Sequence, residues 1–139
     1  MSCDNLGLLP DDNMRLSEII ISLSHALDLR SNQFLDHSQI VAYISLELAR
    51  GLDLKKREIN RVVLSALLHD IGMQKAQIGY EAKKMVPAKQ VIEKHCLLGY
   101  NLIKDIKCLQ GIPEVILSHH DLWKGDNYSR LEEDNIHLA

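Results

Sequence analysis

The chain has 139 residues, of which 46% are hydrophobic, and this length and apolar content fit one soluble domain with a buried core. Its formal net charge of -3 provides no overall basic field, so we expect no duplex nucleic acid as a partner. No apolar run reaches the roughly 18 residues of a membrane span, and the N-terminus lacks the order of a signal peptide, so we expect a cytoplasmic protein.

Apolar residues recur at three- and four-residue intervals along most of the chain, which predicts an all-α fold without strands. Residues 1–13 are predicted to form a linker or disordered arm ahead of one domain at 14–139. A polar stretch with two glycines at 72–86 is predicted to be a loop. The predicted helices are 14–29, 36–50, about 55–70, a fourth that opens at Pro87 and a fifth that opens at Pro113.

Histidines lie on the apolar faces of these predicted helices. In the third helix the apolar face continues into His69 and Asp70, and the fifth helix ends in His119 and His120. The predicted inner stripe of the first helix is Leu16, Ile19, Ile20, Leu23, Ala26 and Leu27. That of the second helix is His37, Ile40, Val41, Ile44 and Leu48. That of the fourth helix is Val91, Ile92, His95, Gly99, Leu102 and Ile103.

A lone histidine on an apolar stripe is usually a hydrogen-bonded core residue rather than a metal ligand. We interpret His25 and His137 in this way, because neither has a neighbour that would complete a site. The other five histidines occur on four successive predicted helices, each near the inner face, and one of them adjoins an aspartate. Such a concentration of ligating side chains favours a metal site.

The stretch "SALLHDIGM" shows why a cation is expected. Gly72 alone could end this helix, since glycine accepts the left-handed conformation that closes a helix. A carboxylate at the end of an apolar run costs several kcal/mol if it is buried without a partner. His69 and Asp70 are therefore predicted to face a metal ion together.

Three cysteines, Cys3, Cys96 and Cys108, are widely spaced along the chain. An odd number of cysteines without a C-x-x-C motif predicts reduced, structural thiols in a cytosolic protein. We therefore expect no disulfide bond among them.

Four segments of the chain share a histidine and aspartate pattern, H…HD…H…HH. They read "DHSQIVAYISLELARGLDL", "LSALLHDIGM", "EKHCLLGYNLI" and "ILSHHDLWKGDNYS". In order and spacing they resemble the HD superfamily of metal-dependent phosphohydrolases, and most of all its HD-GYP branch, whose members hydrolyse cyclic di-GMP. The resemblance extends from about residue 14 to the end of the chain. It implies an HD-domain helical bundle and a bacterial signalling hydrolase that acts on a cyclic dinucleotide or another nucleotide phosphoester.

Position by position, the resemblance implies that His37, His69 and Asp70 bind one metal ion, and that Asp70 bridges to a second. The other ligands of the second ion would be His95, His119 and His120. His69 and Asp70 are the expected catalytic residues. Imidazole and carboxylate suit a divalent transition metal, with iron or manganese expected first and zinc, nickel or magnesium as alternatives. Two such ions can clamp a phosphodiester and generate the attacking hydroxide.

The chain departs from the family's pattern at three points. Met73 stands where the family often has a lysine that holds the substrate phosphate, and Asn127, Tyr128 and Ser129 replace the GYP motif. Gln33 stands where members with a third metal have an acidic residue, so we expect no trinuclear site. These differences leave open a second function, a catalytically degenerate HD-type regulatory or binding module.

The last segment, "EEDNIHLA", resembles the lead into the family's next helix, which supplies an aspartate to the first metal. Because the chain stops before that helix, we expect the C-terminal helices of the domain to be missing. A missing anionic ligand weakens the first metal position, and a missing helix uncovers apolar surface on its neighbours. We therefore expect fewer than two metals per chain, slow or no turnover, and self-association into a homodimer.

Overall fold

The computed structural model describes residues 16–30, 36–73 and 88–122. These residues form five α-helices and no strand, so the all-α prediction is confirmed. The helices are α1 (Leu16–Arg30), α2 (His37–Gly51), α3 (Lys56–Leu68), α4 (Ala88–Ile103) and α5 (Pro113–Ser118), with a 3₁₀ helix at Lys107–Leu109. The predicted arm at 1–13 and nearly all of the predicted loop lie outside the described residues. Among the helices of the described part, none has the length and apolarity needed to cross a membrane.

The helix starts follow the expected chemistry. The Glu58 side chain accepts the backbone N–H of Lys55 at 2.8 Å, which satisfies one of the free donors at the start of α3. Pro113 begins α5, where its missing N–H and fixed φ are tolerated.

The ends of α3 and α5 correct two predicted boundaries. The third helix was predicted to reach Asp70, but α3 ends at Leu68. The fifth was predicted to include His119 and His120, but α5 ends at Ser118. In both places the chain leaves the α-helical hydrogen-bond pattern for a turn, so four of the predicted site residues lie just beyond a helix end.

The core is an apolar cluster to which every α-helix except α2 contributes at least one large side chain. Within it, Leu68 and Ile116 are almost completely inaccessible to solvent. The cluster consists of Ile20, Ala42, Ala66, Leu67, Leu68, Ile103, Leu109, Ile112 and Ile116. Because Leu68 and Ile116 lie close to the ends of α3 and α5, the core fixes those two ends relative to each other.

The predicted inner face of α2 is wrong for most of its apolar residues. Ile40, Ile44 and Leu48 are 52%, 52% and 63% exposed. The buried residues of α2 are Ser38, Ala42 and Ala49, and of the apolar residues in the predicted stripe only Val41 packs against the core. Small side chains on the inner face permit a close approach to neighbouring helices, which a pattern based on large apolar residues does not detect.

The predicted buried faces of α1 and α4 are correct for some residues and wrong for others. On α1, Ile20 is buried as predicted, whereas Leu23 is 40% exposed and the polar Ser24 and Asp28 are buried. On α4, His95, Gly99 and Ile103 are buried as predicted, whereas Leu102 is 42% exposed. Polar residues on an inner face need partners, and Asp28 has them in Ser38.

Two glycines bring the turn after α3 against α4. A Cβ atom on Gly72 would overlap the carbonyl oxygen of His95 and lie 2.5 Å from the backbone nitrogen of Gly99. A Cβ atom on Gly99 would lie 2.8 Å from Ile116 Cγ2. This backbone contact requires glycine, and it sets the His69–Asp70 turn directly beside His95.

Candidate metal centre

The turn after α3 carries the centre of the site. His69 immediately follows α3, and its ring Nδ1 lies 2.7 Å from the carbonyl oxygen of Ala66, three residues earlier. That carbonyl is in the last turn of the helix, where no further helical N–H is available to it. The ring N–H at Nδ1 therefore donates to the backbone, which leaves Nε2 as the free ligating nitrogen.

The turn after α5 repeats this arrangement. His119 immediately follows α5, and its Nδ1 lies 2.7 Å from the carbonyl oxygen of Ile116, again three residues earlier. Its Nε2 is thereby also left without a proton in the neutral ring. Two helix ends thus hold two imidazoles in the tautomer that leaves Nε2 free to bind a metal.

The Asp70 carboxylate lies between two groups of imidazole nitrogens. Its Oδ2 is 3.3 Å from His69 Nε2 and 4.0 Å from His37 Nε2. Its Oδ1 is 3.4 Å from His95 Nε2 and 4.0 Å from His119 Nε2. Each oxygen therefore faces a different pair of histidines, which is the arrangement that a bridging carboxylate would have.

The imidazole nitrogens within each pair also face each other. His37 Nε2 and His69 Nε2 are 3.3 Å apart, and His95 Nε2 and His119 Nε2 are 3.1 Å apart. Two ring nitrogens bonded to one tetrahedral ion at about 2.1 Å would be about 3.4 Å apart. The separations in both pairs are close to this value.

The exposed His120 lies beside His95 and His119, which form the second pair. Its ring centroid is 4.3 Å from that of His119 and 5.0 Å from that of His95. Together with Cys96, these three histidines offer ligand atoms that all lie within 4.8 Å of one another, and so do His37, His69 and Asp70 in a separate group. The structure thus brings together all six residues singled out from the sequence; that they bind metal stays a prediction.

The charges of the site favour a cation next to Asp70. Burial alone would raise the pKa of Asp70, but its hydrogen bond with His69 and the positive charges of His69, His95 and His119 hold that pKa well below its usual range. Burial likewise opposes protonation of His69, yet the hydrogen bond and charge of Asp70 outweigh it and raise the pKa of His69. The space between Asp70 and His69 therefore stabilises positive charge, whether a proton or a metal ion.

Burial disfavours the protonated forms of His119 and His120. Burial, together with the charges of His120, His69 and His95, lowers the pKa of His119 to about 4 against the opposing hydrogen bond to Ile116. Burial also lowers the pKa of His120. Neutral imidazole is the form that binds metals, so the donors present at this position fit a divalent transition metal.

Cys96 is the residue of this site that sequence reasoning missed. It was predicted to be a structural thiol, yet its Sγ lies 3.7 Å from His95 Nε2 and 3.7 Å from His119 Nδ1. Burial, with the charges of Asp121 and Asp70, raises the pKa of the Cys96 thiol to about 12. Its position directly after His95 in the sequence was the available signal. Cys96 and Cys108 are both free thiols, as predicted, and Cys3 lies outside the described residues.

The other positions singled out from the sequence are the two remaining histidines and the residues that differ from the family's pattern. His25 lies outside the cluster and has polar partners as expected, with its Nδ1 3.0 Å from the Gln39 amide nitrogen and 3.1 Å from Asp36 Oδ1, but the prediction that it is a core residue is wrong because its side chain is exposed. His137 and Gln33 lie outside the described residues, as does the replaced GYP motif. Met73 is partly buried and donates its backbone N–H to the Asp70 carbonyl at 2.8 Å.

A cavity of about 220 Å³ adjoins the cluster between α2, α3 and α5. His69 and His119 form part of its wall. The buried hydroxyl of Ser65 also lines it and has no hydrogen-bond partner in the described part of the chain. The other lining residues are Val41, Ser45, Val62, Ala66, Val115 and Ile116. The two histidines thus border open space on one side.

Comparison with protein families agrees with this fold and histidine pattern. The model of the HD domain family matches residues 34–139. The chain therefore belongs to the HD domain family, and the resemblance noted in its sequence is confirmed.

Three curated relatives are cyclic dinucleotide phosphodiesterases. The chain is 25% identical over 145 residues to the 3'3'-cGAMP-specific phosphodiesterase 2 of Vibrio cholerae, a match that covers 100% of the chain and 28% of that protein. It is 23% identical over 111 residues to the 3'3'-cGAMP-specific phosphodiesterase 1 of the same organism, covering 80% of the chain and 26% of the relative. It is 25% identical over 132 residues to the cyclic di-GMP phosphodiesterase of Thermotoga maritima, covering 88% of the chain and 34% of the relative. The chain thus spans about a third or less of these relatives. No solved structure gives a significant match.

Proposed function

We propose that this domain is a metal-dependent phosphodiesterase of bacterial signalling that hydrolyses a cyclic dinucleotide such as cyclic di-GMP or cGAMP. The observation that carries the proposal is the Asp70 carboxylate, whose two oxygens face two separate pairs of histidines. Carboxylate bridges of this kind hold two cations close together, as two-metal hydrolases require. The three relatives support the substrate class.

In this proposal each of the two groups of side chains binds its own metal ion. His37 and His69, with Asp70 Oδ2, would hold the first ion, and Asp70 Oδ1 would help to hold the second. The second group is completed by His95, His119 and His120. When bound, the ions supply Lewis acidity toward the phosphodiester and lower the pKa of water toward about 7. Iron or manganese is proposed first, with zinc, nickel or magnesium as alternatives.

The chain's own residues prepare the site for this reaction. The backbone carbonyls of Ala66 and Ile116 orient His69 and His119 through their Nδ1 atoms, and Asp70 keeps its negative charge because of the surrounding histidines. In hydrolysis, water adds to phosphorus, one ester P–O bond breaks, and the leaving oxygen takes up a proton to give the linear dinucleotide. We propose His69 and Asp70 as the residues on which this turnover depends most.

Met73 favours one other function for the same scaffold. A methionine at this position carries neither charge nor a side-chain donor for a phosphate. Without phosphate anchoring the domain could bind a nucleotide or metal and act as a regulatory module. A cytoplasmic location and association into a homodimer also stay predictions.

The test is turnover by the metal-reconstituted protein. Metal-free protein is loaded separately with iron(II), manganese or zinc and incubated with cyclic di-GMP or 3'3'-cGAMP, and linear products are separated by chromatography. We expect slow formation of product, which disappears on addition of a chelator and in an Asp70→Asn variant. Tight nucleotide binding with full metal content and no product would instead support the regulatory module.

A further inference from the structure

We infer that Cys96 is a thiolate ligand of the ion held by His95, His119 and His120, so that this position selects a borderline transition metal, zinc or iron(II), over magnesium or manganese. The inference rests on the proposed metal centre and deepens it. The ligand set implied by the family resemblance contains only nitrogen and oxygen donors, whereas this chain places a sulfur atom among them.

The distances around His95 Nε2 are those of atoms that share one ion. Cys96 Sγ is 3.7 Å away, Asp70 Oδ1 is 3.4 Å away and His119 Nε2 is 3.1 Å away. A sulfur at about 2.3 Å and a nitrogen at about 2.1 Å from a tetrahedral zinc ion are about 3.6 Å apart. The separation of Cys96 Sγ from His95 Nε2 is close to this value, and Cys96, His95, His119 and His120 offer ligand atoms that all lie within 4.8 Å of one another.

The environment of Cys96 differs from that of a packing residue. Buried cysteines usually behave as small hydrophobic side chains. Cys96 is only 1% exposed, yet it is not part of the apolar core cluster. Its sulfur instead contacts the rings of His95, which is fully buried, and His119.

Coordination by the Cys96 sulfur releases one proton and favours some metal ions over others. As the bond between sulfur and metal forms, the thiol proton of Cys96 leaves to solvent, and no atom is oxidised or reduced. The resulting thiolate adds a second negative charge beside Asp70 against the two positive charges of the ion. Thiolate is a soft donor that suits zinc and iron(II), whereas magnesium and manganese prefer oxygen donors.

Cobalt(II) substitution tests the inference directly, because thiolate ligation produces a strong charge-transfer absorption in the near ultraviolet. The metal-free 139-residue chain is titrated with cobalt(II) under reducing conditions. We expect the wild-type chain and a Cys3→Ser/Cys108→Ser double variant, in which Cys96 is the only cysteine, to show the band at equal intensity. Cys108 is an exposed free thiol and serves as the matched control. The Cys96→Ser variant should lose the band and bind zinc about 10- to 100-fold more weakly.

Two results would overturn the inference while leaving the metal centre intact. One is stoichiometric cobalt binding by the wild-type chain without the band, and the other is a Cys96→Ser variant that retains both band and zinc affinity. Failure of the wild-type chain to bind any cobalt would overturn the metal centre together with the inference. Circular dichroism verifies that the variants are folded. If Cys96→Ser unfolds, the presence or absence of the cobalt band in the wild-type and double-variant proteins tests whether Cys96 binds the metal.

Discussion

The carboxylate of Asp28 on α1 accepts two hydrogen bonds from Ser38 on α2. The Ser38 backbone N–H donates to Oδ2 at 2.9 Å and its hydroxyl donates to Oδ1 at 2.8 Å. The first turn of a helix has free N–H groups, and a negative charge there is stabilising. Asp36, the residue before α2, is in the left-handed conformation (φ 63°) and makes no side-chain cap. Asp28 therefore caps α2 from a neighbouring helix, next to His37.

Removing this tertiary cap should destabilise the fold more than removing the serine hydroxyl. Asp28→Ala leaves the buried N–H and hydroxyl of Ser38 without their acceptor, so we expect the free energy of unfolding to fall by about 1.5–3 kcal/mol. Ser38→Ala removes one of the two hydrogen bonds and should cost about 1 kcal/mol. Urea denaturation of the metal-free proteins measures both values. Equal losses in the two variants would contradict a capping role for Asp28.

The contact between the α3 turn and α4 should not tolerate a methyl group at residue 72. Gly72→Ala places a Cβ atom against the His95 carbonyl and the Gly99 nitrogen, and backbone atoms cannot move aside as a side chain could. We expect a loss of about 3 kcal/mol or more. Gly51→Ala is the matched control, because no atom lies within 4 Å of its added Cβ atom. That variant should be neutral or stabilised by less than about 1 kcal/mol in thermal or urea unfolding. Comparable destabilisation of both variants would show that the close approach is not what matters.

Substitutions at the metal centre should remove one or both metal ions, depending on which residue is changed. Asp70→Ala removes the two oxygens that face both histidine pairs, so we expect both positions to lose their ions. His69→Ala removes a nitrogen from the first group only and should empty that position. Elemental analysis of protein expressed with iron and manganese supplied gives the ratio of metal to chain. His25→Ala, at an exposed histidine outside the cluster, should leave the ratio unchanged. Wild-type protein free of metal after such expression would argue against the site.

A lysine at position 73 should raise turnover if the domain is an enzyme that lacks phosphate anchoring. Residue 73 lies three positions after Asp70 and donates its backbone N–H to the Asp70 carbonyl at 2.8 Å, so the backbone holds it beside the turn that carries the carboxylate. A cationic donor that stabilises charge developing on phosphate can accelerate transfer by about tenfold or more. We expect Met73→Lys to increase the rate of cyclic dinucleotide hydrolysis, and the uncharged Met73→Gln variant to leave it unchanged. No hydrolysis by any of the three proteins, despite full metal content, would favour the regulatory module.

Much of the fold and of the site follows from the sequence alone. The spacing of apolar residues and the position of Pro113 predicted the helices to within a few residues, because helix period and helix-start chemistry are local properties. Ligand type is also local: imidazole and carboxylate side chains at the ends of apolar runs need partners whatever surrounds them. For this reason the residues His69 and Asp70 could be chosen before any contact was known.

The tertiary structure decided which atoms meet. The sequence pattern placed Ile40, Ile44 and Leu48 inside, but the helices pack through smaller side chains on another face of α2, and only the packed arrangement shows which face is buried. The roles of Asp28 and Cys96 likewise depend on partners 10 and 23 positions away in the chain. The division of the Asp70 oxygens between two histidine pairs depends on where the helix ends lie relative to one another. Those positions result from long-range packing, including the backbone contact at Gly72, and long-range packing cannot be obtained from a local repeat.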